Sequence, residues 1–468
     1  MDSGEAAQLA AVAGALGAAL VLLGRGRLAL LPGLGLLVLG EAGLVYDLSD
    51  HGHRISPKLV ALGVAALVPM AIGAAILVRW PALVTPVIAL AAPFRPPLSF
   101  GSEHRYYVGV ASSGQLGRLL PLYAVLGAAA LALAWHVLRG RVTRRVPLLV
   151  SIPAIALFLV AAVSLFWTDD LHSGENVLAY FLLPFGLLVA VVARAPFPPW
   201  LPRTLATIAV ALATLFAVVG LIQAATHKLW FFSPSVEVGN AYSSYFRVTS
   251  LFRDPSLYGR HVVLGIVVLL VAVLYGKVNP LLAVPMIGLM FAGLWFSYSQ
   301  SSMAALTTAV VLVGAIGIVV NSARHHSARR FTSDRSRRIE VTWKVFRSHP
   351  IAGVGLGAQP VASQARSKEG GSPTRFVSHT TPLTVAAELG LIGLAAYVAL
   401  LGGAVAIIEQ VRGRDPPLGL GLGAVLLALF AHSLAYSGFF EDPVTWLVIA
   451  VAAGFVLSRA DNEAILGA

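Results

Sequence analysis

An all-α, polytopic transmembrane helix bundle of about 12–15 spans, with a large extracytoplasmic loop, is the fold class this sequence predicts. Three observations carry it. Of 468 residues, 57% are hydrophobic and only 12% charged. The apolar residues fall in runs of roughly 18–22, the length a helix needs to cross about 30 Å of hydrocarbon. Arginine gathers in the short connections between those runs, where cytoplasmic loops of membrane proteins concentrate cations.

The runs, in order, are 6–23, 28–45, 59–78, 81–94, 119–138, 147–166, 177–193, 204–222, 258–275, 280–297, 303–320, 383–408, 418–436 and 444–458. The first has no basic flank before it and is followed at once by the second, so it reads as a retained span and not a cleaved signal. Glycine, 45 residues in all, lies inside the runs, as in AVAGALGAALVLLG at 11–24. Small residues there suit close helix packing in lipid.

The net charge is +12, from 28 Arg and 5 Lys against 21 acidic residues. In a soluble chain that balance would point to nucleic acid. Here Arg25/Arg27, Arg139/Arg141/Arg144/Arg145, Arg194/Arg203 and Arg412/Arg414 all sit in short connections, so the positive-inside rule accounts for them and no nucleic-acid partner is expected. The absence of cysteine removes disulfides, thiol catalysis and cysteine-ligated metal.

With the basic connections inside, residues 46–58, 95–118, 167–176, 223–257 and 437–443 face outside, together with the N-terminus. Two long polar stretches interrupt a single membrane domain, 1–468: a first extracytoplasmic loop, 223–257, and a large loop, 321–382, with a short interfacial helix. Counting forward from 223–257 puts NSARHHSARR (321–330) inside, whereas counting back from Arg412 puts His379 outside. Either 280–320 crosses once, with one half re-entrant, or a span is missing between 321 and 340.

Three segments could carry chemistry. In FRVTSLFRDPSLYG (246–259), Arg247, Arg253 and Arg260 flank an Asp254-Pro255 turn into a helix. Guanidinium forks at a membrane mouth match phosphate oxygens; the plainer alternative is snorkelling to head groups or pairing with Asp254. In SDRSRRIEVTWKVFRSHPIAGVGLG (333–357), Arg338, Lys344 and Arg347 line a short helix, and a GxGxG run follows. With no preceding strand, that run permits a tight turn toward the membrane better than it binds a nucleotide. In SHTTPLTVAAELGLIGL (378–394), His379 stands at the outer mouth of a span, as a helix cap or as a general base near neutral pH. Glu388, deeper in that span, needs a partner or a polar cavity. The loops YDLSDHGHRISPK and WTDDLHSGEN could ligate a cation, but solvated loops are the plainer reading and no metal is expected. In FFEDP, Glu441 and Asp442 stand in a tight turn as counter-charges for the arginines opposite.

In this order, the segments resemble the O-antigen ligase/polymerase superfamily of bacterial envelope glycan enzymes. The residues that carry the resemblance are Arg247/Ser250/Phe252/Asp254/Pro255/Ser256, then Ser299/Gln300/Ser301, then Arg338/Trp343/His349/Pro350/Gly353/Gly355, then His379/Thr380 with Gly390 to Gly393. Asp254 and Ser256 stand where the family pattern has asparagines, Gln300 where it has arginine, and Thr380 where it has asparagine. The resemblance implies metal-independent transfer of a glycan from a polyprenyl-diphosphate carrier to a sugar hydroxyl, at the outer face of the cell inner (cytoplasmic) membrane, with no cofactor. It casts Arg247 and Arg338 as diphosphate binders, with Arg337 as the near-equal alternative to Arg338, Arg253 as a further candidate, and His379 as the base. The implied partners are a polyprenyl-diphosphate-linked glycan donor, a glycan or glycolipid acceptor, and membrane lipid.

Two other classes compete. A transporter or flippase of lipid-linked glycan would line the membrane interior with charge, whereas few ionisable residues (His136, His261, Glu388, His432) fall in these spans. A non-catalytic envelope-assembly protein would leave the three segments scattered, whereas an enzyme gathers them in one place.

Overall fold

The computed structural model describes residues 3–49, 57–94, 119–141, 143–230, 234–319, 335–366, 378, 380–436, 438 and 440–466. All fourteen apolar runs become helix. They form α1 (Ser3–Leu23), α2 (Arg27–Leu48), α3 (Pro57–Arg79), α4 (Val84–Ala91), α5 (Leu120–Leu138), α6 (Leu148–Val163), α7 (Leu171–Arg194), α8 (Leu201–Thr226), α10 (Pro255–Leu274), α11 (Pro280–Trp295), α12 (Gln300–Val319), α15 (Thr381–Arg414), α16 (Pro416–Ser433) and α17 (Pro443–Leu466). The polar stretches add α9 (Pro234–Tyr242), α13 (Arg335–Ser348) and α14 (Gln359–Arg366).

Among the described residues, nine helices are long and apolar enough to cross a membrane, and three shorter apolar helices (Pro280–Trp295, Gln300–Gly314, Pro443–Ser458) accompany them. A bent pair, Gly63–Arg79 with Pro81–Ala91, turns through 115° at Trp80. The chain is thus an all-α, multi-pass membrane protein. Large apolar side chains such as Leu28, Val64, Val68, Ile72, Leu281 and Val311 stay exposed on its periphery, where lipid is the solvent.

Small residues let α1 and α2 pack closely. A Cβ on Gly17 would lie 2.4 Å from the Leu37 backbone nitrogen, and one on Gly40 would lie 2.5 Å from Gly14 Cα. The α1–α2 hairpin therefore packs backbone to backbone, as the glycine pattern predicts. From Val177 to Ala193 α7 is almost wholly apolar and buried, so it forms the axis against which α1, α5 and α17 pack. A π-helical turn at Leu178–Leu182 interrupts it. α8, α10, α11, α12 and α16 pack as a second group.

The bundle has two chemically distinct ends. At one, Thr143 N donates to Arg25 O (2.8 Å), Val146 N donates to Leu22 O (3.1 Å), and Arg144 Nη1 donates to Leu457 O (3.0 Å). Arg194 Nη2 donates to the Val21, Leu22 and Gly24 carbonyls at 2.8–3.1 Å, closing the C-terminus of α1. Arginine clusters that are far apart in sequence thus share this basic end. The other end holds the candidate segments.

α11 starts beside the basic end of α10 and reaches Tyr258 and Ala217 at Gly293, while α12 runs back along α16. Residues 280–319 are therefore two antiparallel helices, and neither is among the nine long and apolar enough to cross a membrane. The link from α12 to α13, 320–334, lies outside the described residues.

Candidate active site

At the end opposite the basic loops, the segment before α10 is held by two side-chain amides. Gln223, fully buried, accepts from Thr249 N (3.2 Å) and Ser250 N (2.7 Å) through Oε1 and donates to Ser250 O (2.9 Å) through Nε2. Ser250 Oγ donates to Phe216 O (2.7 Å). These bonds hold Ser250 at φ 52°, a left-handed conformation uncommon outside glycine. Asn240 pairs with Arg247 through both main-chain groups, Arg247 N to Oδ1 (2.9 Å) and Nδ2 to Arg247 O (3.0 Å). Arg247 Nε donates to Ser297 O (3.3 Å), and Val248 N donates to Phe296 O (3.1 Å). Asp254 caps α10 by accepting from Ser256 N and Leu257 N. The first motif therefore docks on the second, Ser299 to Ser301.

Below this contact lies a chain of hydroxyls. Ser302 Oγ donates to Ser256 O (3.3 Å); Ser299 Oγ is 2.8 Å from Ser302 Oγ and 3.1 Å from Ser301 Oγ; Ser301 Oγ is 3.2 Å from His432 Nε2. Beside it, Arg260 Nη2 stands 3.0 Å from Asp442 Oδ2, with side chains 5% and 1% exposed. This is a charge contact more than an aligned hydrogen bond, since Arg260 Nε and Asp442 Oδ2 have no hydrogen-bond partner among the described residues. Asp442 Oδ1 turns to Val444 N (3.0 Å) at the start of α17. Asp442 thus proves to be the counter-charge expected of the FFEDP turn, and Arg260 is its partner.

The third and fourth motifs dock on each other. Gly353, Gly355 and Gly357 have φ of 70°, 96° and 78°, and Gly355 N donates to Glu388 O (2.9 Å). A Cβ on Gly355 would sit 2.5 Å from Thr168 Cα, so only glycine fits. The run is a turn wedged between α15 and the 164–174 segment, with Leu356 N bonded to Ser164 Oγ (3.0 Å) and Leu356 O to Thr168 Oγ1 (2.9 Å). α15 is broken at Gly390 (φ 64°, ψ −162°), where Leu391 N donates to Pro350 O (2.8 Å). Glu388 receives Gln359 N at 3.4 Å, so its partner is the start of α14. Buried Gln359 then donates to Thr342 Oγ1 (3.2 Å) and Ser363 Oγ (2.8 Å) and accepts from Ser378 N (3.1 Å).

Of the residues expected to act, Arg247 and Arg253 are half-buried in the first loop, and Arg247 reaches the second motif. Arg337 and Arg338 occupy the first turn of α13, which packs on the start of α15; their side chains, and His379 altogether, lie outside the described residues. The flanks of His379 are fixed on both sides, Ser378 by Gln359 and Thr380 by its hydroxyl bond to Leu434 O (3.2 Å). Leu434 follows His432 by two residues, so the two docked pairs of motifs meet at the end of α16. Sequence reasoning missed Gln223, Asn240 and Gln359, and named His432 only as a lone ionisable group in a span. For Gln223 and His432 the available signal was a single amide or imidazole at the end of an apolar run; Asn240 and Gln359, inside the polar loops, carried none. Among the described residues no three His, Asp or Glu converge as metal ligands; Asp170 caps α7 by accepting from Ser173 N (3.1 Å), while Asp50, His51 and His53 lie outside the described residues.

No curated protein matches the chain. A family model described as O-antigen ligase matches residues 258–398, from the start of α10 through the first half of α15. That stretch takes in Ser299 to Ser301, α13, the glycine turn and His379, and the match supports the chain's resemblance to the O-antigen ligase/polymerase superfamily.

Proposed function

We propose that the protein transfers a glycan from a polyprenyl-diphosphate carrier to a sugar hydroxyl of an acceptor glycan or glycolipid, at the outer face of the cytoplasmic membrane. The observation that carries this reading is the convergence of the four motif segments at the end of the bundle opposite the basic loops. The positive-inside rule makes that end the outer one. In the reaction, the acceptor oxygen forms a bond to the anomeric carbon of the donor sugar while the bond from that carbon to the diphosphate oxygen breaks. His379 takes the hydroxyl proton. Arg247 and Arg338, or Arg337 in its place, with Arg253 nearby, hold the diphosphate and stabilise the charge that develops on it as it leaves. No metal is required in this scheme, because the arginines supply the positive charge.

The test is transfer in proteoliposomes from a polyprenyl-diphosphate oligosaccharide with EDTA present, comparing wild type, His379→Ala and Arg247→Ala. Transfer by wild type and its loss in both folded variants is the expected result. Wild-type protein that transfers to no glycan acceptor, or only with added divalent cation, would overturn the scheme and favour transport of the lipid-linked glycan or a role in envelope assembly.

A further inference from the structure

Resting on that function, we propose that His432, Ser301 and Ser299 are positioning residues that fix the distance between the diphosphate-binding loop and the segment carrying the base. The three hydroxyls Ser302, Ser299 and Ser301 form an unbroken path from Ser256 O, in the second residue of α10, to His432 Nε2. Two residues beyond His432, Leu434 O receives the Thr380 hydroxyl. The hydroxyl path therefore joins the start of α10 and the Ser299–Ser301 turn to His432, and the main chain from His432 to Leu434 carries it on to the residue after His379.

Packing alone does not call for these residues. Ser299, Ser301, Ser302 and His432 are each at most 3% exposed, at the ends of otherwise apolar helices. A buried imidazole and three hydroxyls stabilise a fold less readily than apolar groups of the same shape, and each penalises any rearrangement that breaks its bond. Such a network specifies one geometry more than it adds stability. The turn it anchors contains Tyr298 at φ 48°, a strained residue between Ser297, whose carbonyl holds Arg247, and Ser299 of the path. Around His432 stand Arg260, already committed to Asp442, then His261 and the ring of Tyr436 at 5.2 Å.

The experiment uses the full chain, whose lack of cysteine leaves introduced thiols unambiguous. Spin labels at Tyr242→Cys and Ile351→Cys, positions 89% and 67% exposed, report the separation of the two docked halves. Ser301→Ala and His432→Phe should broaden that distance distribution and lower kcat about tenfold, the loss of one hydrogen bond's worth of geometry, with the donor KM within about twofold. Ser301→Thr, which keeps the hydroxyl, should restore both. Wild-type distances and kcat in Ser301→Ala, or no restoration by threonine, would overturn the proposal, and Ser301→Ala decides alone if His432→Phe does not fold. If wild-type protein transfers no glycan, the proposed function falls, while the distance measurement still decides whether the path sets the geometry.

Discussion

The two ends of the bundle use the same residue type in opposite ways. At the basic end, Arg144 and Arg194 spend their donors on helix carbonyls, neutralising helix C-termini that would otherwise go unsatisfied. At the motif end, Arg247's side chain bonds Ser297 O and its backbone is gripped by Asn240, while Arg260 is matched to a buried carboxylate. Arginine at the first end belongs to the architecture. At the second, the architecture belongs to the arginine: two amides, a capped helix and two left-handed residues serve to hold one loop still.

The sharpest way to break this contrast is to remove the counter-charge. Asp442→Ala strands Arg260 in the interior and also uncaps α17, and should cost about 3–5 kcal/mol, measured by denaturant titration in detergent micelles. Replacing both partners, Arg260→Met with Asp442→Leu, should recover most of that loss, because the stranded charge dominates the penalty. If the double variant were as unstable as the single one, the pair would owe its effect to shape and not to charge. Next in size is Gly355→Ala. A Cβ there meets Thr168 and forces a side chain to adopt φ 96°, at a cost of about 3 kcal/mol from strain and overpacking together.

Much of this organisation was legible in the sequence. Run length and hydropathy predict the fourteen apolar helices among the described residues, including the break between 78 and 81 that becomes the bent pair, because those are local properties of the chain. The positive-inside pattern separates the two ends, and the Asp254-Pro255 start, the glycine turn and the counter-charge role of Asp442 follow from residue chemistry at short range. What the sequence hides is pairing. Nothing near Asp442 says that Arg260, on another helix, is its partner, and nothing near Gln223 says that its amide closes on Ser250. A lone Gln or His at the end of an apolar run looks like a tolerated polar residue until the helices are assembled.

The smaller predictions sharpen the contrast by asking what each end protects. Gln223→Ala leaves the amides of Thr249 and Ser250 without their acceptor in a buried site and should cost about 2 kcal/mol, while also loosening the loop that presents Arg247. Arg194→Ala removes a guanidinium from carbonyls that can turn partly to water at the bundle end, so its cost should be lower, about 1.5 kcal/mol. The two variants then separate by function. If the ends divide the labour as their contacts indicate, Arg194→Ala keeps its transfer rate in proteoliposomes at temperatures where it is folded, whereas Gln223→Ala loses rate even where it is fully folded. A rate loss in both, scaling with stability alone, would mean that the motif end is held together but not held in place.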